Sequence, residues 1–187
     1  GVEAARRRCL PVKLNCTLNR YNVERVEEIL AFCREQDLAI KFQPVSGAHA
    51  PGDDAAHLAP ERPAYLRALD AIGRDKARPG SPVVNSHAAL KHQATWPHGA
   101  PISCAAGRVY CRVDLQGRLY PCTMRQFEGP FVELEGRPMA EAMAEVAVAG
   151  CASCWCSSTT ELNLLLDGNL GAALAERNAL WRGGGRR

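Results

Sequence analysis

Val12, Leu14, Cys16 and Leu18 alternate with Lys13, Asn15, Thr17 and Asn19, a period of two that predicts a strand with one apolar and one polar face. The period then changes. Val23, Val26, Ile29, Leu30 and Cys33 recur at helical spacing, with Asn22 placed to cap the helix and "EQD" at its end. A second strand follows in "LAIKFQPV", where Ile40 and Phe42 alternate with Lys41 and Gln43. Strand, helix and strand within about 35 residues predict a βαβ unit, with parallel strands and a right-handed crossover.

Parallel strands are normally covered by helices on the outer face, so the polar positions Lys13, Asn15, Thr17, Lys41 and Gln43 are expected to point into the mouth or interior of a barrel. Small molecules bind there. The plainer alternative is an edge strand with one wet face. Cys16 and Cys33 lie on apolar faces and read as core.

The stretch 46–63, rich in Pro, Gly, Ala and Asp, reads as a long loop. Residues 61–76 read as a helix with Tyr65, Leu66, Leu69 and Ile72 on one side, and a further helix is expected from Ser86, after a short apolar piece at Val83 and Val84. Residues 104–122 read as a β-hairpin. Val109, Cys111, Val113 and Leu115 form one alternating limb, Gln116 and Gly117 the turn, and Leu119 and Tyr120 the return. Cys111 shares a face with Val109 and Val113, which points to packing. An alanine-rich helix over 137–149 leads to "GCASCWCSS". Ser158 and Glu161 then have capping-box spacing for a helix carrying Leu162, Leu164, Leu165 and Leu166, and a last helix is expected from Leu170 to Trp181.

Composition narrows the class. The 187 residues are 47% hydrophobic and 6% aromatic, enough for one good core or two small ones. The formal charge of +3 is mild, with basic residues mainly at Arg6 to Arg8 and in the terminal "WRGGGRR", so a nucleic-acid partner is not expected. No apolar run approaches the roughly 18 residues needed to span a bilayer, and no signal-peptide pattern opens the chain. The expectation is a cytoplasmic protein without membrane partners. The opening "GVEAARRR" reads as the middle of a helix, and the chain as a fragment of something longer.

Nine cysteines change the picture: three (Cys9, Cys16, Cys33) lie early, and six (Cys104, Cys111, Cys122, Cys151, Cys154, Cys156) fall in one later segment. In a chain without a signal peptide, metal or cluster ligation is the better reading than disulfides. A hairpin brings its ends together, so Cys104 and Cys122 can approach each other, and Cys151-x2-Cys154 makes a second pair. Thiolates suit iron-sulfur clusters and zinc, and chemistry alone leaves both open. His49, His57, His87, His92 and His98 show no paired ligand spacing and read as loop or surface residues.

The spacing Cys104-x12-Gly117-x4-Cys122, followed after a gap by Cys151-x2-Cys154, resembles the SPASM and Twitch extensions at the C-termini of radical S-adenosylmethionine (SAM) enzymes. The "VKLNCTLNRYNVERVEEILAFCREQDLAIKFQPV" segment is similar to a late strand-helix-strand unit of their partial barrel. The resemblance implies an α/β fold: residues 1–100 as the second half of a partial (β/α)6 barrel, and residues 101–187 as a small Twitch-like domain with a β-hairpin and helices. It also implies one auxiliary 4Fe-4S cluster on Cys104, Cys122, Cys151 and Cys154, with Asn15, Lys41 and Gln43 contributing to a SAM pocket. The full-length enzyme would carry SAM, a second 4Fe-4S cluster, a small-molecule or peptide substrate, and an electron donor such as a flavodoxin or ferredoxin.

The family's C-x3-C-x2-C motif occurs nowhere in this chain, which is therefore not expected to cleave SAM alone. No cysteine follows Cys156, a departure from the full SPASM pattern, and ligation by Cys156 or Cys111 is left open. Trp155, between the cysteines, is expected to shield a cluster from water. Glu161 is expected to cap its own helix rather than contact a substrate. A non-enzymatic zinc module or electron carrier is the competing reading.

Overall fold

A computed structural model describes residues 1–45, 54–99, 101–125, 129–146, 151, 154–172 and 174, with the side chains of 54 and 55 excepted. It is a mixed α/β structure of two small sheets and several helices. After α1 (Val2–Arg7), β1 (Lys13–Leu18) and β2 (Ala39–Pro44) pair in parallel from Lys13–Ala39 to Leu18–Pro44, joined through α2 (Val26–Glu35). This is the expected βαβ unit. The chain at Val83 adds a bridge to Ile40, with Ile40 N donating to Pro82 O and Val84 N to Ile40 O, both at 2.9 Å.

Asn22 stands where a cap is expected but caps nothing through its side chain. Its Nδ2 donates to Thr17 O at 3.0 Å and its Oδ1 accepts from Asn19 N at 2.9 Å, so it ties the turn back onto β1. The helix then opens on a 3-10 turn, Val23–Arg25.

The stretch read as loop contains a short helix, α3 (Asp54–Leu58), while 46–53 and His49 lie outside the described residues. Next come α4 (Arg62–Lys76) and α5 (His87–Gln93). Leu18, Ile40 and Phe42 from the strands, Val26, Leu30 and Cys33 from α2, and Tyr65, Leu69 and Ile72 from α4 form the first core. At its edge Arg34 of α2 pairs with buried Asp75 of α4, whose Oδ1 also accepts from Ser81 Oγ at 2.8 Å.

A second, smaller core gathers Leu119, Ala142 and Val146. Around it β3 (Arg112–Val113), β4 (Arg118–Tyr120) and β5 (Val132–Glu133) form an antiparallel sheet. The hairpin turn is held by Asp114 Oδ1, which accepts from Gln116 N and Arg118 N at 2.9 Å, and by Gly117 at φ +76°. The first limb is far shorter than the alternation suggests. Residues 105–110 fold into their own turn, with Val109 N donating to Ala105 O at 2.9 Å, and leave Val109 exposed. The third strand, β5, carries no alternation long enough to be read.

α6 (Met139–Glu145) falls within 137–149, of which 147–149 lie outside the described residues. α7 (Ser157–Leu166) leaves the cysteine loop. It buries Ser157, Thr160, Glu161 and Asn163, while Leu166 is half exposed. There is no capping box. Cys156 occupies the N-cap without a side-chain bond, and Glu161 reaches another helix instead. The helix expected over 170–181 lies mostly outside the described residues. Among those residues no helix is long and apolar enough to cross a membrane.

Candidate metal centre

The polar face of the parallel pair is unevenly covered. Lys41 and Gln43 are buried, whereas Lys13 and Asn15 are exposed. The N-terminus of α7 meets this face. Ser157 N donates to Gln43 Oε1 at 2.9 Å, and Ser157 Oγ to Asn15 Oδ1 at 3.2 Å. Gln43 Nε2 meanwhile stands 3.4 Å from Thr17 Oγ1. Asn15 and Gln43, read as cofactor-binding positions, thus grip the helix that follows the last three cysteines. The alternation correctly finds a polar face that must be served, but period-two spacing carries no information on what covers it.

All nine cysteines are free thiols. Cys33 is fully buried in the first core, with Cys16 packed against it, as the apolar-face reading expects. Burial, and then the neighbouring Cys33, push the Cys16 thiol up to about 11. Cys111 packs against the second core, as its register suggests. Cys9 is exposed.

The other five lie at the ends of the hairpin and on the loop before α7, which Asn163 and Arg125 tie together. Cys104 precedes the hairpin and Cys122 ends its return strand, where Arg125 N donates to Cys122 O at 3.2 Å to start a 3-10 turn. The Cys122 thiol is pushed up mainly by burial. Backbone N–H groups of Met124 and Arg125 oppose that, and thiolates at Cys151 and Cys104 reinforce it. Cys154 behaves alike: burial raises it most, the Thr159 hydroxyl and the Cys156 N–H lower it, and Cys156 and Cys122 raise it. Cys122 therefore lies within electrostatic range of Cys104, Cys151 and Cys154. Those are the other three thiols of the expected ligand set.

Polar groups stand around the sulfurs. Arg125 Nη2 donates to Cys151 Sγ at 3.3 Å, Thr159 Oγ1 lies 3.1 Å from Cys154 Sγ, and the Tyr110 hydroxyl lies 3.8 Å from Cys104 Sγ. Burial and the Cys104 bond push the Tyr110 hydroxyl well above the usual phenol range, and a Cys154 thiolate adds to it. The loop is anchored from both halves of the chain. Cys154 O is 2.9 Å from His92 Nε2 on α5 and accepts from Thr160 Oγ1 at 3.1 Å. Trp155 is partly buried against the first core, with its indole N–H buried and unpartnered.

His92, Tyr110, Thr159 and Arg125 are the residues that spacing does not single out. The run of hydroxyls in "SSTT" directly after the last cysteine is the one visible signal. Beside Cys104 opens a cavity of about 270 Å³, lined by Ala105, Arg108, Asn163 and Asp167 among others.

Donor chemistry fits a thiolate-ligated cluster: four soft donors on two separate stretches of chain, with the Arg125 N–H on Cys151 Sγ and hydroxyls beside Cys104 and Cys154. Among the described residues, no group of three or more His, Cys, Asp or Glu side chains is placed so as to hold a metal ion. Comparison with protein families, curated proteins and solved structures found no match.

Proposed function

We propose that this chain is the C-terminal part of a radical SAM enzyme, and that it holds an auxiliary 4Fe-4S cluster through Cys104, Cys122, Cys151 and Cys154. The observation that carries the reading is geometric: Asn163, on the helix that leaves the C-x2-C loop, bonds Ala105 N beside Cys104, and Arg125, just past Cys122, bonds Cys151 Sγ, so both ends of the hairpin meet the cysteine loop. The fully buried residues of the first core run up to Trp96 and those of the second from Leu119, which supports a division near residue 100 into a barrel half and a cluster domain, with Trp155 packed across it.

A cluster at this position would supply a one-electron redox centre or a Lewis-acidic edge to a substrate. The protein's own contribution is to fix the cage. Arg125 places a donor on Cys151 Sγ, the Thr159 and Tyr110 hydroxyls stand beside Cys154 Sγ and Cys104 Sγ, and His92 and Thr160 hold the Cys154 carbonyl. Asn15 and Gln43 lock the start of α7, so a substrate or SAM bound on the barrel side would sense the cluster loop through that helix. Lys41, buried on the same strand, belongs to this polar interface and to the proposed SAM side. The full enzyme would act in the cytoplasm with a flavodoxin or ferredoxin donor.

Anaerobic reconstitution with iron and sulfide tests the reading. The expected result is about four irons per chain, with broad charge-transfer absorption near the visible range. Tight zinc uptake with no such absorption would replace the cluster by a structural zinc site.

A further inference from the structure

Asn163 is fully buried on α7, the helix launched from the cysteine loop. Its side-chain oxygen is doubly used: Oδ1 accepts from Ala105 N at 3.1 Å and from the Tyr110 hydroxyl at 3.3 Å. Those partners are the residue after Cys104 and the hydroxyl set beside Cys104 Sγ. The other end of the amide is unused. Nδ2 is buried and has no hydrogen-bond partner among the described residues. A buried N–H left without an acceptor is costly, so such a donor is rare unless something absent takes it. Oδ1 already receives two donors, and exchanging the amide ends would set N–H against N–H at Ala105. The orientation is therefore fixed by its partners.

We infer that Asn163 Nδ2 is a dedicated hydrogen-bond donor to the sulfur of the cluster proposed on Cys104 and its three partners, and that it sets the cluster's reduction potential. The inference rests on that cluster assignment. Sulfide and thiolate sulfurs accept N–H bonds, and each bond disperses negative charge and so favours the reduced state. Tyr110, standing between Asn163 Oδ1 and Cys104 Sγ, orients the amide. Asn163 thus acts on the cluster by direct donation, with Tyr110 as the positioning residue, and its effect reads out in the potential.

Two variants separate the donor from the fold. Asn163→Asp keeps an acceptor for Ala105 N and Tyr110 while removing the donor, and Asn163→Leu removes both. In the reconstituted protein, both variants should shift the midpoint potential to more negative values and raise the Fe–S stretching frequencies seen by resonance Raman. A second measurement needs no variant. With asparagine 15N-labelled in the side chain, the reduced wild-type cluster should show a nitrogen coupling by pulsed electron paramagnetic resonance. A loaded protein that lacks this coupling, or whose potential is unmoved in both variants, overturns the inference alone. A wild-type chain that takes up no iron and sulfide overturns it together with the cluster assignment.

Discussion

Glu161 Oε1 accepts the backbone N–H of Ser86 at 2.6 Å, across 75 residues of sequence. Ser86 is the N-cap of α5, and its own Oγ accepts from Ala89 N at 2.9 Å. Together these bonds make the two halves of a capping box, with the acid supplied by a different helix. The spacing of Ser158 and Glu161 suggests the right chemistry on the wrong helix. The consequence is mechanical: the helix that carries His92 is fastened to the helix that carries Asn163.

Replacing Glu161 by Ala should therefore destabilise the protein by about 1 to 3 kcal/mol, since a buried N–H loses its acceptor. Glu161→Gln keeps an acceptor oxygen and should cost less. Denaturant unfolding of the two variants checks the order; equal losses would mean that the Ser86 bond contributes nothing.

The cysteines should sort into two groups under alanine substitution. Removing Cys104, Cys122, Cys151 or Cys154 should abolish stable iron retention. Cys111→Ala should retain iron and lose about 1 kcal/mol of stability instead, because it fills part of the second core. Iron per chain after desalting, measured beside unfolding curves, separates the groups. Cys156, at the N-cap of α7, lies within electrostatic range of Cys154, and its variant should retain iron if its thiol is no ligand.

His92 and Thr160 converge on one carbonyl, that of Cys154. His92→Ala and Thr160→Val should each speed loss of iron several-fold, and the double variant should be less than additive, because the two act on the same atom. The readout is the rate of chelator-driven bleaching. Fully additive effects would mean that the two side chains stabilise the fold independently.

The βαβ unit was legible because two periods, of two and of about 3.6, alternate cleanly between Val12 and Val45. The hairpin was half legible: its turn follows from Asp114 and Gly117, but Val109 is drawn out of the strand by a local turn that alternation does not encode. α7 was legible as a helix, but its pattern does not tell which face is buried. Four leucines crowd residues 162–166 without making one stripe, and the buried side is Ser157, Thr160, Glu161 and Asn163, because polar groups there meet backbone and side-chain partners brought from far along the chain. Long-range hydrogen bonding leaves no periodic trace.

Asn85 gives the sharpest instance. It is fully buried; its Oδ1 accepts from Phe42 N at 2.8 Å and its Nδ2 donates to Phe42 O at 3.0 Å. The carboxamide thus imitates a neighbouring strand at the point where the chain, after bridging Ile40 at Val83, turns away toward α5. Gln93 Nε2 adds a second donor to Phe42 O at 2.9 Å. In Asn85→Leu the Phe42 N–H would be orphaned in a closed core, while the carbonyl would keep Gln93. The expected loss is about 2 to 3 kcal/mol, close to the cost of one unmet buried donor plus one weakened bond. Asn85→Asp retains the acceptor for Phe42 N but places a carboxylate oxygen against Phe42 O, so it should be at least as damaging near neutral pH and should recover as acid protonates it. Thermal unfolding across pH distinguishes these outcomes: if both variants unfold with the wild type, the amide is not completing the sheet.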